Sequence, residues 1–166
     1  MKVVARWITL GLVALPAFCG SCVRAEAPAR EFSTRIWLSP GIYARHFDRS
    51  KQLRDDNIGL GVELTLARDH ALMAGSFINS NRERSRYAAY HWRPVHGRLA
   101  GLDLAAGVLV AAFDGYPNYR GGAWFVAPLP VVAIEGRRFG ANVSLIPTIR
   151  DRLDGAIAVQ FKIRAW

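Results

Sequence analysis

The connections between strand-like segments, more than the segments themselves, restrict what this chain can become. Eight runs with period-two apolar patterning lie near residues 35–47, 57–67, 72–80, 86–95, 99–113, 123–134, 139–149 and 155–166. Their connections alternate. Those at 48–56, 81–85, 114–122 and 150–154 are long and hold most of the Asp, Asn, Arg and Gly; those at 68–71, 96–98 and 135–138 are tight turns containing Arg68-Asp69-His70, His96-Gly97-Arg98 and Glu135-Gly136-Arg137. Antiparallel strands reverse at every connection, so the long connections gather at one end and the short ones at the other. This predicts an all-β fold, an eight-stranded antiparallel transmembrane β-barrel with both termini on the short-turn side, which in outer-membrane barrels is the periplasm. A soluble sandwich would give the same period-two pattern. Strand lengths of about ten residues, the regular long/short alternation and an export signal favour the barrel.

That signal occupies the first 25 residues. Lys2 and Arg6 flank an apolar run from Trp7 to Phe18, followed by small residues and two cleavage sites, Val23-Arg24-Ala25 and Ala25-Glu26-Ala27. This is the layout of a secretory signal peptide, and the run is shorter than the roughly 20 residues a transmembrane helix needs. The expected organisation is therefore a cleaved leader, 1–25, and one barrel domain, 26–166. Both cysteines, Cys19 and Cys22, leave with the leader, so the mature chain is expected to hold no disulfide and no cysteine metal site. Losing Lys2, Arg6 and Arg24 leaves 19 basic against 13 acidic residues, a formal charge of +6. Such a charge suits a partner carrying phosphates, and in an exported chain that partner is a lipid headgroup rather than a nucleic acid.

The pattern also says which residues face inward. In segment 99–113, Leu102, Leu104, Val108 and Val110 oppose Gly101, Asp103, Ala105, Gly107 and Ala111; in the last, Ile157, Val159, Phe161 and Ile163 alternate with Gln160, Lys162 and Arg164. An eight-stranded barrel is only wide enough for side chains to fill, so the small or polar set is expected inside. His46, closing the first strand, and Asn79-Ser80, closing the third, then meet at the long-loop rim. A serine hydroxyl becomes a useful nucleophile once an imidazole accepts its proton, so this pair is the minimum for acyl chemistry. A solvated loop-end histidine and an ordinary Asn-Ser-Asn turn read equally well from the same residues. His70, His91 and His96 show no metal-ligand spacing, and no metal or organic cofactor is expected. Pro128 and Pro130 in strand six and Pro147 in strand seven each remove a ladder hydrogen bond where a closed barrel has no edge to hide the loss. They predict a breach in the wall, either a lateral entrance for a lipid chain or a β-bulge.

Several of these pieces occur together elsewhere. Ala44-Arg45-His46-Phe47, Leu72-Met73-Ala74 leading to Phe77-Ile78-Asn79-Ser80, Ala88 to Trp92 with Arg93-Pro94, Gly101-Leu102, Ala106-Gly107-Val108, Pro128-Leu129-Pro130-Val131-Val132 and Leu145-Ile146-Pro147 follow in order and spacing from about residue 43 onward. In these the chain resembles the PagP-type lipid A palmitoyltransferases, outer-membrane barrels of Gram-negative bacteria that move an acyl chain from a phospholipid to lipid A. The resemblance implies a barrel embedded in the outer membrane, with phospholipid and lipid A or lipopolysaccharide as partners; a monomer is expected. It implies catalytic roles for Ser80 and His46, an acyl-pocket floor at His91, and lipid access at Pro128, Pro130 and Pro147; at Asn79, which stands at the family's aspartate, we expect an orienting or oxyanion-stabilising amide. Two positions depart from the family: Asn79 replaces an aspartate and lacks its charge, and His91 replaces a glycine and would shorten or polarise the pocket. The family's amphipathic helix before the first strand has only residues 26–34 to form it. An alternative of another class is a non-enzymatic barrel that stabilises the envelope or presents loops for adhesion. The inside discriminates: an enzyme needs an apolar cavity reaching His46 and Ser80, a structural barrel a charged or hydrogen-bonded filling. An outer-membrane lipid A deacylase fits less well, because no His-x-Ser pair lies on one strand.

Overall fold

A computed structural model describes residues 34–149 and 153–166. The expected leader and the segment preceding the first strand lie outside the described residues. Eight strands form in chain order: β1 (Arg35–His46), β2 (Asp56–Ala67), β3 (His70–Ile78), β4 (Arg84–Leu99), β5 (Leu102–Phe113), β6 (Phe125–Glu135), β7 (Phe139–Ile146) and β8 (Ala156–Arg164). Each pairs antiparallel with the next, and β1 pairs with β8 from Trp37 opposite Arg164 to His46 opposite Ala156, so the sheet closes into a barrel. Both described chain ends lie at the short-turn rim, where Ile36 N–H donates to the carbonyl of Trp166 at 3.0 Å.

The strands differ from the sequence expectation mainly at the tight turns. The turn expected at His96-Gly97-Arg98 lies at Ala100-Gly101; the earlier tripeptide is strand, paired with Ala105, Leu104 and Asp103. A two-residue hairpin of this hand needs positive φ at both central residues, which Ala100 (50°) and Gly101 (82°) supply. Glu135, counted with a turn in the sequence, is the last residue of β6 and is buried. Pro147 follows β7 rather than lying inside it, and Asn79 and Ser80 begin the β3–β4 loop rather than ending β3. Asp103, expected to fill the interior, is exposed and faces Arg98 near the short-turn rim.

Inward and outward faces follow the period-two rule. In β5, Ala105, Leu109 and Ala111 are buried while Leu102, Val108 and Val110 are exposed; in β8, Ala158, Gln160 and Lys162 are buried while Ile157, Phe161 and Ile163 are exposed. The interior then divides into two halves. Toward the short turns, four alternate strands bring charged side chains together: Glu63 from β2, Arg93 from β4, Glu135 from β6 and Lys162 from β8. Lys162 Nζ lies 2.7 Å from Glu63 and 2.8 Å from Glu135, and Arg93 Nη1 lies 2.7 Å from Glu135. The two buried cations face two buried anions, as buried charges must, and partly exposed Arg35 adds a third cation 3.3 Å from Glu135 Oε2. Beneath them Trp37 lies against both Lys162 and Arg164, with its ring centre 4.9 and 4.7 Å from the cationic groups. The layer continues upward through hydrogen bonds from Asn142 to Glu63 at 2.7 Å, from Asn142 to Gln160 at 3.3 Å and from Gln160 to the Tyr87 hydroxyl at 2.9 Å. Gly61 and Gly75 make room for that ring: a Cβ at Gly61 would collide with Tyr87 Oη, and one at Gly75 would come within 2.7 Å of Cε1.

Candidate functional site

Above this polar layer the barrel is hollow. A cavity of about 400 Å³ extends from Asn142, Gln160 and Tyr87 to the long-loop rim. Its volume falls in the range of small-molecule sites. The walls are apolar, with Met73, Phe77, Leu109, Leu129, Val131 and Ile146 among them. On one side the wall is aromatic: Phe113 and Phe125 approach at 5.9 Å, and Tyr119 of the β5–β6 loop packs on Phe125 at 4.4 Å. Ser144 is a polar break in the wall, and polar groups gather at the mouth, where His46, Lys51, Asn57, Ser80, Asn81 and Asp154 line the opening. Lys51 and Asp154 bridge the first and last long loops at 2.6 Å.

His46 and Ser80, far apart in sequence, thus line one mouth. The β1–β2 connection places a carboxylate against the histidine, with His46 Nδ1 3.2 Å from Asp55 Oδ1. Arg49 Nη1 donates to both oxygens of Asp55, at 3.0 and 2.8 Å. Burial would raise the Asp55 carboxyl, but the hydrogen bonds from Arg49 and His46 outweigh it and hold the group below the usual carboxylate range. Asn57, buried at the head of β2, donates from Nδ2 to Ser80 Oγ at 3.4 Å.

Asn79 is spent differently. It is fully buried, its amide donates to Ser85 Oγ at 2.9 Å and to the Gly115 carbonyl at 2.7 Å, and its Oδ1 accepts the N–H groups of Asn81 and Glu83 at 2.9 and 3.1 Å. These four bonds fill its donor and acceptor capacity. Asn79 therefore shapes the loop that carries Ser80 and ties it to the β5–β6 loop, and no amide proton is left for an oxyanion. The amide that reaches Ser80 belongs to Asn57. Period two could have found Asn57: positions 57, 59, 61, 63 and 65 share a parity, and counting back from inward Glu63 and Thr65 puts Asn57 on the cavity side; Asp55 precedes β2, where that period gives no signal.

His91 points inward and is completely buried, yet it is absent from the cavity lining; it lies one inward position below Ala89, near Arg93, Lys162 and Glu135. Pro128, Pro130 and Pro147 face outward. Their effect is on the wall. Pairing between β5 and β6 is unbroken from Phe125 to Glu135, whereas β6 and β7 pair only from Val131–Ser144 down to Glu135–Gly140. Residues two apart in a strand aim their N–H groups at the same side, so Pro128 and Pro130 withdraw two donors from one side, and pairing is lost on the side of β7. The unpaired stretch runs beside the cavity, whose lining includes Ala127, Leu129 and Ile146. Comparison with known proteins adds no relative: no family model matches the chain, and no curated protein matches it.

Proposed function

We propose that this chain is an outer-membrane barrel of the PagP type that transfers, or hydrolyses, an acyl chain of an outer-leaflet lipid, with phospholipid as donor and lipid A as acceptor. One observation carries the reading: the hollow half of the barrel is apolar along its walls and opens on His46 and Ser80. An acyl chain buried in such a cavity gains about 0.8 kcal/mol per methylene, and its ester end would lie at the mouth beside the two polar side chains. A purely structural barrel has no need of that hollow, and here the charged filling such a barrel would use is confined to the other half.

The membrane setting rests on the outside of the wall. Leu60, Val95, Val126, Phe139 and Phe161 point outward and are each more than half exposed. Apolar surface on this scale is foreign to water-soluble monomers, and a hydrocarbon layer is the medium it suits. The gap between β6 and β7 gives a lipid chain a way from that layer into the cavity, since unpaired backbone at membrane depth is tolerated where it borders one.

The chemistry needs no cofactor. Ser80 Oγ attacks the donor's ester carbon as its proton passes to the imidazole of His46, and the carbonyl electron pair moves onto oxygen. That pair returns as the ester C–O bond breaks, and the departing lysophospholipid oxygen takes the proton from His46. A lipid A hydroxyl, deprotonated by the same imidazole, then attacks the acyl-serine; the acyl C–Oγ bond breaks and Ser80 Oγ takes the proton back from His46, and water in place of the hydroxyl gives hydrolysis. Asn57, whose Nδ2 donates to Ser80 Oγ at 3.4 Å, would turn that donor to the developing oxyanion. The test is mass spectrometry of lipid A and phospholipids from a Gram-negative host lacking its own palmitoyltransferase. The wild-type chain should yield lipid A heavier by one acyl group with matching lysophospholipid, or free fatty acid if water is the acceptor, and Ser80→Ala should yield neither. Unchanged lipid pools with a folded barrel in the outer membrane would favour the structural role.

A further inference from the structure

We propose that Asp55, backed by Arg49, is the positioning carboxylate of His46, holding the imidazole with its proton on Nδ1 so that Nε2 is left as the proton acceptor at the cavity mouth. The inference rests on the acyl-transfer reading only in naming Ser80 as the group to be deprotonated. A carboxylate carries no proton, so across the 3.2 Å contact the imidazole must donate. Once Nδ1 is the donor, the neutral ring has its lone pair on Nε2. His46 is 6 % exposed, so water competes poorly for Nδ1 and the partner fixes the ring.

Asp55 is itself held. Arg49 binds both its oxygens, Arg45 Nη1 approaches to 3.7 Å, and its backbone carbonyl accepts the N–H of Ala44 at 2.8 Å. The neighbouring acids are engaged elsewhere: Asp48 accepts from Ser50, Asp56 from Arg54 and Asp154 from Lys51. A carboxylate twinned with guanidinium on one side and imidazole on the other supplies the charge that Asn79 cannot. The orienting acid thus stands in the β1–β2 connection instead of beside the serine.

Nitrogen-detected NMR of the full chain in detergent micelles, labelled at histidine nitrogens, reads this directly, with His46→Gln giving the assignment. Wild type should show His46 as the Nδ1–H tautomer, and Asp55→Ala should move it to Nε2–H. A wild-type Nε2–H ring, or a tautomer unmoved by Asp55→Ala in a barrel that keeps its folded gel mobility, overturns the proposal. Should Asp55→Ala fail to fold, Asp55→Asn, which keeps the shape but can turn an amide N–H toward Nδ1, should still raise the Nε2–H share. Labelling of Ser80 by an alkyl fluorophosphonate adds a rate: a fall of at least about tenfold in Asp55→Ala, partly restored in Asp55→Glu, is the expected result. The wild-type tautomer shift without any Ser80 labelling would uphold the positioning role and remove acyl transfer, so the two ideas fail separately.

Discussion

Lys162 neutralises two buried glutamates, and the arginines share the task only in part, since Arg93 lies 2.7 Å from Glu135 but 3.9 Å from Glu63, and Arg35 lies 3.3 Å from Glu135. Lys162→Met should therefore cost about 3 kcal/mol, the lower end for breaking a buried ion pair, visible as a shift in the urea midpoint of the micelle-bound barrel. Adding Glu63→Gln should recover part of it, because the stranded charge goes with it. At the opposite rim Asp114 accepts the Arg86 N–H at 2.6 Å and Nε at 2.7 Å, and Arg86 lies 5.5 Å from the Trp124 ring centre. Burial would raise the Asp114 carboxyl, but the bonds from Arg86 hold it below its ordinary 3.8. A lowered carboxyl stabilises the fold fully above its unfolded value and loses the contribution as pH falls through the folded one. Fluorescence of Trp124 should hence stay native-like at pH 4 and change only in more acidic solution, while Asp114→Asn removes that acid transition.

Among the strands, β6 is the one whose chemistry is visible in the wall. Its side toward β5 is paired along the full length, and its side toward β7 stops at Val131. Replacing Pro128 and Pro130 together by Val returns two N–H groups to that side. Each new ladder bond would add about 1 kcal/mol, so the variant should resist urea better than wild type. If the gap admits lipid, the same variant should slow acyl transfer from membrane phospholipid while a short, water-soluble fluorophosphonate still labels Ser80 at the wild-type rate. Equal loss of both would mean that the cavity itself had changed. The neighbouring β5–β6 loop is the aromatic side of the mouth, and Asn79 connects it to the serine loop through Gly115. Asn79→Ala should accordingly loosen both loops, lowering activity through position rather than through chemistry.

For the molecule as a whole, a barrel of this girth can be filled or hollow at any level, and this one is both. The division falls at the Tyr87–Gln160–Asn142 level, where hydrogen bonds cap the charged layer. If the hollow half holds the acyl chain, filling it midway should shorten the chain it accepts without touching the reacting groups. Leu109→Trp is the variant of choice: lipid analysis should show loss of the longest acyl product, and Ser80 should remain reactive to a short-chain fluorophosphonate.

Strand number, direction and most of the facing were legible in the residues because each follows from local rules, which failed at Asp103, where the strand reaches the rim. Period two is a property of extended backbone, so Gln160 and Lys162 could be assigned inside and Phe161 outside without any knowledge of the neighbours. The alternation of long and short connections likewise fixed which rim carries His46 and Ser80. Turn limits were less legible, because Gly97 and Gly101 look alike until the backbone shows which one adopts positive φ. What only the tertiary structure decided is which inward residues share a level. Glu63, Arg93, Glu135 and Lys162 come from four different strands, and their meeting depends on the tilt and stagger with which the sheet closes. The same closure put the cavity above them and His91 below it. It also set the two fates of the rim amides, with Asn79 buried in loop hydrogen bonds and Asn57 turned toward Ser80. Those distances are set by closure of the whole sheet, which no local stretch of sequence encodes.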